Sequence, residues 1–404
     1  MNDIGSLGVI LLLALLAGHI VKWLRVPEVT GYLLAGVALG PSVLGWVSPD
    51  NLSALQALSE VALGLILFSI GTVFEVDHFR RIGPQLIVIT VIESVLAAAI
   101  VGGGMLVAGQ QWQTSLLLGA MAIETAAAST LMVLRECNAK GELTSVLMGV
   151  FALDNLLCLI TFNLIVAAIE LSTHAGSAWN LSAALGTIGP LVWQIVGSAA
   201  LGYMIGFLLA AWSARVVEHG EQLILLAGCV LLCVGAAQVL NLSAMVTNLS
   251  VGATVANLSQ RSRNFIESLE KTDPPLYAIF FVLAGAGLRL SLLTAVGIPG
   301  LVYLVGRLVA KIGGARIGAA AAGASKVVQR RLPFAMCAQA GLAVGLTMTL
   351  ERRLPQIAPT VSTIVLSAVI IFEVIGPLGV RWSIVRSGEA QPEISEAGDR
   401  IVGV

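Results

Sequence analysis

A few ionisable residues interrupt long apolar segments of this sequence, and they are the first candidates for chemistry. Asp154 lies about ten residues into such a segment, in Phe-Ala-Leu-Asp-Asn-Leu-Leu-Cys-Leu. At a rise of about 1.5 Å per residue, a helix that crosses a bilayer would place this carboxylate close to the bilayer centre. A carboxylate at that depth is paired, protonated or hydrated, which suits a group that exchanges a proton for a cation. The alternative is a structural carboxylate that bonds to a neighbouring helix.

Two basic residues lie at a similar depth in a later segment, Gly-Arg-Leu-Val-Ala-Lys-Ile-Gly-Gly. Arg307 precedes Lys311 by four residues, so both would lie on one helix face. A buried ammonium group needs a carboxylate partner, and Asp154 is the predicted partner of Lys311. For Arg307, extension towards the membrane surface and bonding to backbone carbonyls both remain open. The full set of ionisable residues inside or at the edge of apolar segments is Glu60, Glu93, Glu124, Asp154, Arg307, Lys311, Arg316 and Glu373.

Two further segments combine small and polar residues at mid-depth. One is Ile-Glu-Thr-Ala-Ala-Ala-Ser-Thr, which holds Glu124, Thr125 and Ser129, and the other surrounds Gln339 and Gly341. A broken membrane helix needs such residues, because its freed amides and carbonyls can line an ion site. The alternative is ordinary close packing of helices, which small residues also permit. Two Gly-x-x-x-Gly stretches, 36–40 and 314–318, are interpreted as packing faces of this kind.

The elements that must position these residues are predicted to be membrane-spanning helices. Of the 404 residues, 57% are hydrophobic and 11% are charged, whereas soluble proteins carry about 25% charged residues. The sequence therefore predicts an all-α polytopic membrane protein with about 13 transmembrane helices. The apolar runs cover roughly residues 7–24, 29–47, 57–75, 84–108, 114–135, 144–169, 184–213, 221–239, 243–258, 275–291, 294–321, 333–350 and 359–382.

Loop charges predict the orientation of these helices. If the N-terminus is outside, fifteen Lys and Arg residues fall on the inner side and three on the outer side, as expected for cytoplasmic loops. The predicted location is the inner (cell) membrane, with a cytoplasmic C-terminus. Residues 1–386 would form the transmembrane domain, and residues 387–404 a short, disordered cytoplasmic tail. The two polar segments lie seven spans apart, so they would cross in opposite directions, as in an inverted repeat.

Several classes of function are excluded or disfavoured by the same sequence. The net charge of −1 provides no basic field for nucleic acid. The five cysteines and four histidines show no metal-binding spacing, and the cysteines are interpreted as small buried hydrophobes. No nucleophile–base pair or phosphate-binding loop stands out, so we expect neither an enzyme nor a bound cofactor.

Five separated stretches, in order along residues 7–382, resemble one family of transporters. They begin with Pro27-Glu-Val-Thr-Gly-Tyr-Leu-Leu-Ala-Gly-Val-Ala-Leu-Gly-Pro-Ser-Val-Leu-Gly and Leu63-Gly-Leu-Ile-Leu-Phe-Ser-Ile-Gly, the latter followed by Phe79-Arg-Arg. The others are Ile279-Phe-Phe-Val-Leu-Ala-Gly-Ala-Gly-Leu, Gln339-Ala-Gly-Leu-Ala-Val-Gly-Leu and Glu373-Val-Ile-Gly-Pro-Leu. Together they are similar to the monovalent cation:proton antiporter-2 family.

This resemblance implies the fold of bacterial sodium/proton antiporters. Such a protein is a homodimer, and each protomer has a dimerisation bundle and a six-helix core with two crossed broken helices. The resemblance places the core lysine at Lys311 and the paired acids of the sixth helix at Asp154-Asn155. It places the crossing of the two broken helices where two unwound stretches meet. One is at about Thr125 to Thr130, and the other is in the segment around Gln339 and Gly341. The crossing residues are then Ala126, Ala127, Gln339 and Gly341, with Glu373, Arg307 and Lys311 as core charges.

One position departs from the family pattern. The family normally keeps a carboxylate at the second acidic position, where this chain has Asn155. Asparagine does not titrate and offers a cation only a neutral carbonyl oxygen. We therefore expect Asp154 to carry the ion and the proton, helped by Glu124, with oxygens from Asn155, Thr125 and Ser129.

These observations favour a secondary transporter that exchanges Na⁺ or K⁺ for protons by alternating access. Its partners would be monovalent cations, protons, the lipid bilayer and a second copy of the chain. One alternative is a sodium-coupled symporter or an ion channel on the same architecture. The other is a non-transporting homologue, because Asn155 replaces a carboxylate. A non-transporter, however, has no reason to retain Asp154, Lys311 and Glu124 at the cost of burying charge.

Overall fold

In a computed structural model of the chain, all the regular secondary structure of the described residues is helical, with no strand among them. The described residues are 3–24, 26–47, 49–72, 74, 76–173, 189–190, 192–213, 215–216, 218–258, 275–292 and 296–391. Residues 392–404, most of the predicted tail, lie outside this set. The prediction of an all-α membrane protein is confirmed, because the described helices are apolar and several are long enough to cross a bilayer.

The first nine helices run from the N-terminus to residue 239. They are α1 (Asp3–Trp23), α2 (Glu28–Leu39), α3 (Pro49–Gly71), α4 (Val76–Val107), α5 (Trp112–Met121), α6 (Ala127–Glu136), α7 (Glu142–Thr173), α8 (Ser198–Ser213) and α9 (His219–Val239). A single π-helical turn, Trp193–Gly197, leads into α8. The remaining helices are α10 (Ala244–Leu258), α11 (Pro275–Ala286), α12 (Gly297–Ala321), α13 (Lys326–Ala335), α14 (Gly341–Arg353) and α15 (Ala358–Ser387).

Six segments of the described helices are long and apolar enough to span a bilayer. They are Ile82–Val107, Glu142–Glu170, Trp193–Ser213, Gly220–Val239, Gly297–Ala321 and Ala358–Ser387. Four shorter apolar helices have 10–17 residues, namely Leu7–Trp23, Glu28–Leu39, Ala57–Gly71 and Pro275–Ala286. Each predicted run contains described helix, and the total of thirteen crossings stays a prediction.

Two predicted boundaries differ from the structure. The run 29–47 is helical only to Leu39, because Gly40 adopts an extended conformation (φ −69°, ψ 173°) and Pro41 follows it. The run that was predicted to start at residue 333 begins as helix at Lys326, where the Ser325 hydroxyl caps the Val328 amide at 3.4 Å. Hydropathy alone misses this first part of α13, because its exposed face is basic and only one face is buried.

Two helices are broken in the middle, and the breaks lie against each other. The first break separates α5, which ends at Met121, from α6, which begins at Ala127. The second separates α13, which ends at Ala335, from α14, which begins at Gly341. The Ala126 amide donates a hydrogen bond to the Ala338 carbonyl at 3.1 Å, so the two unwound stretches meet directly. The predicted pair of crossed broken helices is therefore present.

The helices form two groups. Six helical spans, namely α4, α5 with α6, α7, α12, α13 with α14, and α15, pack around the crossing. The other group contains α1–α3 and α8–α11, in which α3, α8, α9 and α10 share an apolar cluster that includes Phe68, Leu209, Val230 and Val251. We call the first group the core and the second the scaffold bundle.

Glycines bring the α4 and α12 backbones into close contact within the core. A Cβ atom added at Gly314 would lie 3.0 Å from Glu93 Cα, and one added at Gly318 would lie 2.9 Å from the Ile89 carbonyl oxygen. Such distances are shorter than ordinary van der Waals contact, so only glycine fits without movement of α4. The 314–318 stretch is therefore a packing face, as the sequence predicted. The 36–40 stretch is another, because Gly40 packs in the same way on Ala286 of α11.

We expect Gly314→Val to destabilise the purified protein much more than Gly313→Val does. Both changes place a β-branched residue in the same helix, but a Cβ at Gly313 meets nothing within 4 Å. Overpacking against a backbone typically costs about 1–3 kcal/mol, so Gly314→Val should melt at a clearly lower temperature in detergent. Equal melting temperatures for the two variants would contradict the close α4–α12 contact.

The start of the predicted tail is ordered by contact with the core. Beyond the end of α15, the Glu389 carboxylate accepts hydrogen bonds from the backbone amides of Leu143 (2.7 Å) and Thr144 (2.8 Å). These are two of the amides at the N-terminus of α7 that have no partner within the helix. The prediction that the chain is disordered from residue 387 is therefore wrong for the residues around Glu389.

Candidate functional site

Asp154 and Lys311 form an ion pair at the centre of the core. The Lys311 Nζ atom lies 3.1 Å from Asp154 Oδ2, and both side chains have 0% exposure. Asp154 is carried by α7 and Lys311 by α12, so the pair joins the two halves of the core, in the arrangement that the sequence predicted. Two charges without solvent stabilise each other only when they are in contact, which is the case here.

A second carboxylate contacts the same ammonium group. Glu93 Oε1, on α4, lies 2.7 Å from Lys311 Nζ, and this side chain is also fully buried. Glu93 is an ionisable residue within an apolar segment, but it was not predicted to belong to the site. The signal that could have found it is the Gly-x-x-x-Gly stretch at 314–318, which lets α12 approach the helix that carries Glu93.

Thr125, in the first break, connects the two charges of the pair. Its hydroxyl donates to Asp154 Oδ2 at 2.8 Å and accepts from Lys311 Nζ at 2.8 Å. Ser94 Oγ lies 3.5 Å from Asp154 Oδ1. Lys311 Nζ also donates to the backbone carbonyl of Ile123. The ammonium group therefore bonds both to side chains and to the unwound backbone.

Asn155 offers an oxygen next to this cluster. Its Nδ2 donates to the Thr125 carbonyl at 3.2 Å, whereas its Oδ1 is buried and has no hydrogen-bond partner among the described residues. Asn155 also lines an apolar cavity of about 200 Å³ between α7 and the scaffold bundle, together with Phe74, Leu156 and Leu249. A buried carbonyl oxygen without a partner, beside a cavity, is a candidate ligand for a cation.

A larger, polar cavity lies along the C-terminal half of α7. It has a volume of about 720 Å³ and lies between α7, α14 and the scaffold bundle. Its wall contains the Arg353–Glu170 ion pair, with 2.5 Å between Nη2 and Oε2. Leu159 lines both this cavity and the smaller one beside Asn155. The 5% exposed Leu159 side chain thus lies between the two cavities, one helical turn from Asn155.

Arg307 binds the unwound backbone of both breaks. Its guanidinium donates to the carbonyls of Cys337 (2.7 Å) and Ala338 (3.0 Å) in the second break, and to that of Glu124 (2.6 Å) in the first. It also lies over the Phe372 ring, 4.5 Å from the centroid. Of the two alternatives left open by the sequence, Arg307 adopts the bonding to backbone carbonyls and has 0% exposure.

Two buried acids lie at the N-terminal ends of the half-helices. The Glu124 carboxylate accepts from the Ala340 amide, at 3.2 and 3.3 Å, just before α14. The Glu373 carboxylate, on α15, accepts from Ser129 Oγ at 3.4 Å in the first turn of α6. Ser129 therefore contacts Glu373 and not Asp154, and among the described residues no cation lies within salt-bridge distance of Glu373. The sequence placed Ser129 beside Asp154, and the direction of the α6 face explains the difference.

The remaining predicted residues lie at the crossing. The Gln339 amide donates to the Met121 carbonyl at 3.0 Å and to the Tyr303 hydroxyl at 2.9 Å. Ala126 precedes α6 in an extended conformation, Ala127 begins α6, and Gly341 begins α14. These small residues leave room for the two backbones to meet, and they carry no further polar group.

The charges of the crossing match the dipoles of the half-helices. The basic groups of Lys311 and Arg307 bind carbonyls at the C-terminal ends of α5 and α13, whereas Glu124 and Glu373 lie at N-terminal ends. Each placement opposes the partial charge of the helix end that it contacts. The site thus combines one ion pair with a surplus carboxylate, hydroxyls and a free amide oxygen, a set of groups that can bind either a proton or a monovalent cation.

Comparison with known proteins agrees with this description. Residues 8–385 match the family model for the sodium/hydrogen exchanger, transmembrane. The chain is 23% identical over 293 residues to the ammonium/H⁺ antiporter subunit AmhT of Alkalihalophilus pseudofirmus, covering 72% of this chain and 71% of that protein. It is 25% identical over 327 residues to the high-affinity Na⁺/H⁺ antiporter NhaS3 of Synechocystis sp., covering 71% and 68%.

The fold is also similar to a solved structure. The sodium proton antiporter MjNhaP1 of Methanocaldococcus jannaschii superimposes with a TM-score of 0.77, at 19% identity, over 96% of this chain and 99% of that one. At this level of identity the likeness concerns the fold alone. It extends over the core and the scaffold bundle together.

Proposed function

Because the chain belongs to the sodium/hydrogen exchanger family, we propose that it exchanges a monovalent cation for protons by alternating access, with Asp154 as the shared site. The observation that carries this proposal is the buried Asp154 carboxylate, which contacts Lys311 and Thr125 next to the unpartnered Asn155 Oδ1. This arrangement offers negative charge and neutral oxygens at one point inside the membrane.

Competition at one carboxylate is sufficient for exchange. A proton on Asp154 and a cation beside Asp154 exclude each other, because each neutralises the same charge. The empty site retains an uncompensated negative charge, since Glu93 and Asp154 together share one ammonium. A core that moves readily only when this charge is neutralised carries either a proton or a cation, and therefore couples the two fluxes.

The other groups have distinct roles in this proposal. Thr125 Oγ1 and Asn155 Oδ1 supply neutral oxygens to the cation, and Lys311 holds Asp154 in the empty state. Glu124 and Glu373 stabilise the N-terminal ends of α14 and α6, so that the crossing keeps its shape. Ser129 supports Glu373 and does not contact the cation.

The proposed movement is a displacement of the core against the scaffold bundle. The two cavities lie between these groups of helices. The smaller one runs along residues 152–159 of α7, and the larger one along residues 159–170. In this proposal residues 1–386 form the transport domain and the scaffold bundle forms the contact of a homodimer. Exposed apolar side chains on α8, such as Phe207 and Trp212, suit either lipid or a second copy.

The transported cation is to be identified by direct exchange. Na⁺ and K⁺ are the predicted substrates, Li⁺ is chemically similar, and AmhT adds ammonium as a fourth cation to test. The protein would be reconstituted into liposomes that contain a pH-sensitive dye, and each chloride salt would be added outside. Exchange is expected to make the lumen alkaline with at least one cation. Ammonium would be compared with protein-free vesicles, because ammonia crosses bilayers unaided.

Asp154→Asn is expected to reduce the exchange to the level of protein-free vesicles, because the shared charge is lost. The matched control is Glu351→Gln, an acid-to-amide change at an exposed position of α14, which should exchange at the wild-type rate. Cation uptake without a change in lumen pH would instead favour a channel or a sodium-coupled symporter. No flux of any cation with wild type would favour a non-transporting homologue.

The proposed orientation has the N-terminus outside and the C-terminus in the cytoplasm of a cell whose inner membrane holds the protein. It is supported by the fifteen-to-three distribution of loop Lys and Arg residues. A fluorescent protein fused after Val404 should fluoresce, and alkaline phosphatase fused at the same place should be inactive. The reverse pattern would contradict this orientation.

A further inference from the structure

The Lys311 ammonium group has more acceptors around it than it has protons. Within hydrogen-bonding distance of Nζ lie Glu93 Oε1 (2.7 Å), Thr125 Oγ1 (2.8 Å), Asp154 Oδ2 (3.1 Å) and the Ile123 carbonyl. An ammonium group has three N–H donors. Three of these contacts are hydrogen bonds, to Ile123, Thr125 and Asp154, whereas the Glu93 contact is an ion pair without hydrogen-bond geometry. If the bond to Asp154 is given up, Glu93 Oε1, at 2.7 Å from Nζ, can accept the released N–H.

The two carboxylates differ in what else holds them. Asp154 also accepts from Thr125 at 2.8 Å and has Ser94 Oγ at 3.5 Å. Glu93 contacts Lys311 as an ion pair, and neither of its carboxylate oxygens has a hydrogen-bond partner among the described residues. Loss of the lysine would leave a buried charge on Glu93, whereas Asp154 keeps a hydroxyl donor. Asp154 is therefore the contact that the lysine can release.

We infer that Glu93 is a positioning residue for the exchange, which holds the Lys311 ammonium while Asp154 binds the cation. This inference rests on the proposed function. With both acids ionised, the cluster of Glu93, Asp154 and Lys311 has a net charge of −1. One proton or one cation neutralises it, and Lys311 keeps its own proton in both loaded states. The exchange is then one cation for one proton and moves no net charge.

Without Glu93 the same cluster would work differently. Asp154 and Lys311 would neutralise each other in the empty site, so that no net charge would attract a cation. A cation could then bind Asp154 well only after Lys311 had released its proton, which alkaline conditions favour. Cation binding near neutral pH would be weak and would recover as the pH rises.

Glu93 faces few other charges. Its own helix contributes no other acid or base within a turn, and α5 contributes none. Glu124 and Arg307 are bonded to the unwound backbone at the crossing. The buried titratable and charged groups that the packed elements bring to the crossing are Asp154 and Cys158 on α7, Lys311, Arg307 and Tyr303 on α12, Glu124 and Cys337 in the breaks, and Glu373 on α15.

The test is the dependence of exchange on cation concentration and pH in Glu93→Gln. With Na⁺ and K⁺ as probes, its KM near neutral pH should rise at least about tenfold, because a unit charge a few ångströms from the cation is removed. Its pH optimum should move to more alkaline values. Thr90→Val, a neutral change one turn away in the same buried face of α4, should leave both quantities unchanged.

Two rescue variants separate positioning from a purely structural role. Glu93→Asp keeps the charge and should retain the wild-type pH optimum. Glu93→Gln combined with Asn155→Asp returns a second carboxylate to the cluster from α7, and should lower KM again. If Glu93 has only a structural role, adding Asn155→Asp should not lower the KM of Glu93→Gln, because the α4–α12 contact would remain damaged.

The outcomes separate this inference from the proposed function. No exchange by wild type with any cation would overturn the proposed function. Normal exchange by wild type, with unchanged KM and pH optimum in Glu93→Gln, would overturn only the role of Glu93. If Glu93→Gln does not fold, the inference is tested with the double variant Glu93→Gln, Asn155→Asp. Failure of the double variant to fold, or a KM that stays raised, would identify Glu93 as a structural anchor and contradict the inference.

Discussion

Lys311→Gln is expected to destabilise the detergent-solubilised protein severely. The change removes the ammonium group that Glu93 and Asp154 share and leaves two buried carboxylates close together. Loss of one partner of a buried ion pair typically costs about 3–5 kcal/mol, and here two carboxylates lose their partner at once. The measurement is the thermal unfolding of purified protein, followed by loss of the monodisperse dimer or monomer peak after heating.

Lys326→Gln is the matched control, because this lysine is exposed at the first residue of α13. Its melting temperature should equal that of the wild type. A second comparison is Lys311→Gln combined with Glu93→Gln and Asp154→Asn, which removes all three charges. This neutral triple variant should be more stable than Lys311→Gln alone, since no unpaired charge remains buried. A Lys311→Gln protein as stable as the wild type would show that these groups are not partners.

Arg307→Gln is expected to disrupt the crossing of the two broken helices. Three carbonyls, those of Glu124, Cys337 and Ala338, would lose a charged donor in a buried site. The Ala338 carbonyl keeps the Ala126 amide as a donor, so the Glu124 and Cys337 carbonyls lose the most. Each buried acceptor left without a donor costs about 1–3 kcal/mol. The total loss should therefore be several kcal/mol, large enough to reduce expression and to lower the melting temperature. Exchange should be lost as well, because the unwound backbone that positions Thr125 would move.

Arg316→Gln is the control for this change. Arg316 lies on the same helix, two turns away from the crossing, and its side chain is exposed. It should retain wild-type stability and exchange. The melting temperature of Arg307→Lys should lie between those of Arg307→Gln and Arg316→Gln. An ammonium group keeps the charge but lacks the planar fork that reaches the carbonyls of both breaks. Equal melting temperatures for Arg307→Gln and Arg316→Gln would exclude this role of Arg307.

The fold class was predictable from the sequence because the signal for it is local. A run of apolar residues is costly in water wherever it occurs, and inside a bilayer only a helix satisfies its own backbone. The composition and the thirteen runs therefore indicated an all-α membrane protein without any knowledge of contacts. Asp154 and Lys311 could be found for a similar reason, since a charge at mid-membrane is rare and needs a partner.

Two contacts of the site could not be predicted from the sequence, because they depend on distances between helices. Nothing in the α4 sequence indicates that Glu93 faces Lys311; the contact exists because Gly314 and Gly318 allow α12 to approach α4. Ser129 was assigned to the Asp154 site because it belongs to the polar stretch with Glu124 and Thr125, but the α6 face turns its hydroxyl towards Glu373. Both results follow from the orientation of helix faces, which a single sequence leaves undetermined.

The sequence by itself determined that this protein spans a membrane as helices, and that one acid and one base lie deep within it. Its small and polar segments also indicated where two helices break. Only the tertiary structure decided which charges meet and what holds the breaks open. The first break, between Met121 and Ala127, contains neither proline nor glycine, so its own residues do not enforce it. Its backbone is held open by Arg307 and Lys311 of α12 and by Gln339 of the second break. They supply the donors that an unbroken helix would have supplied from within.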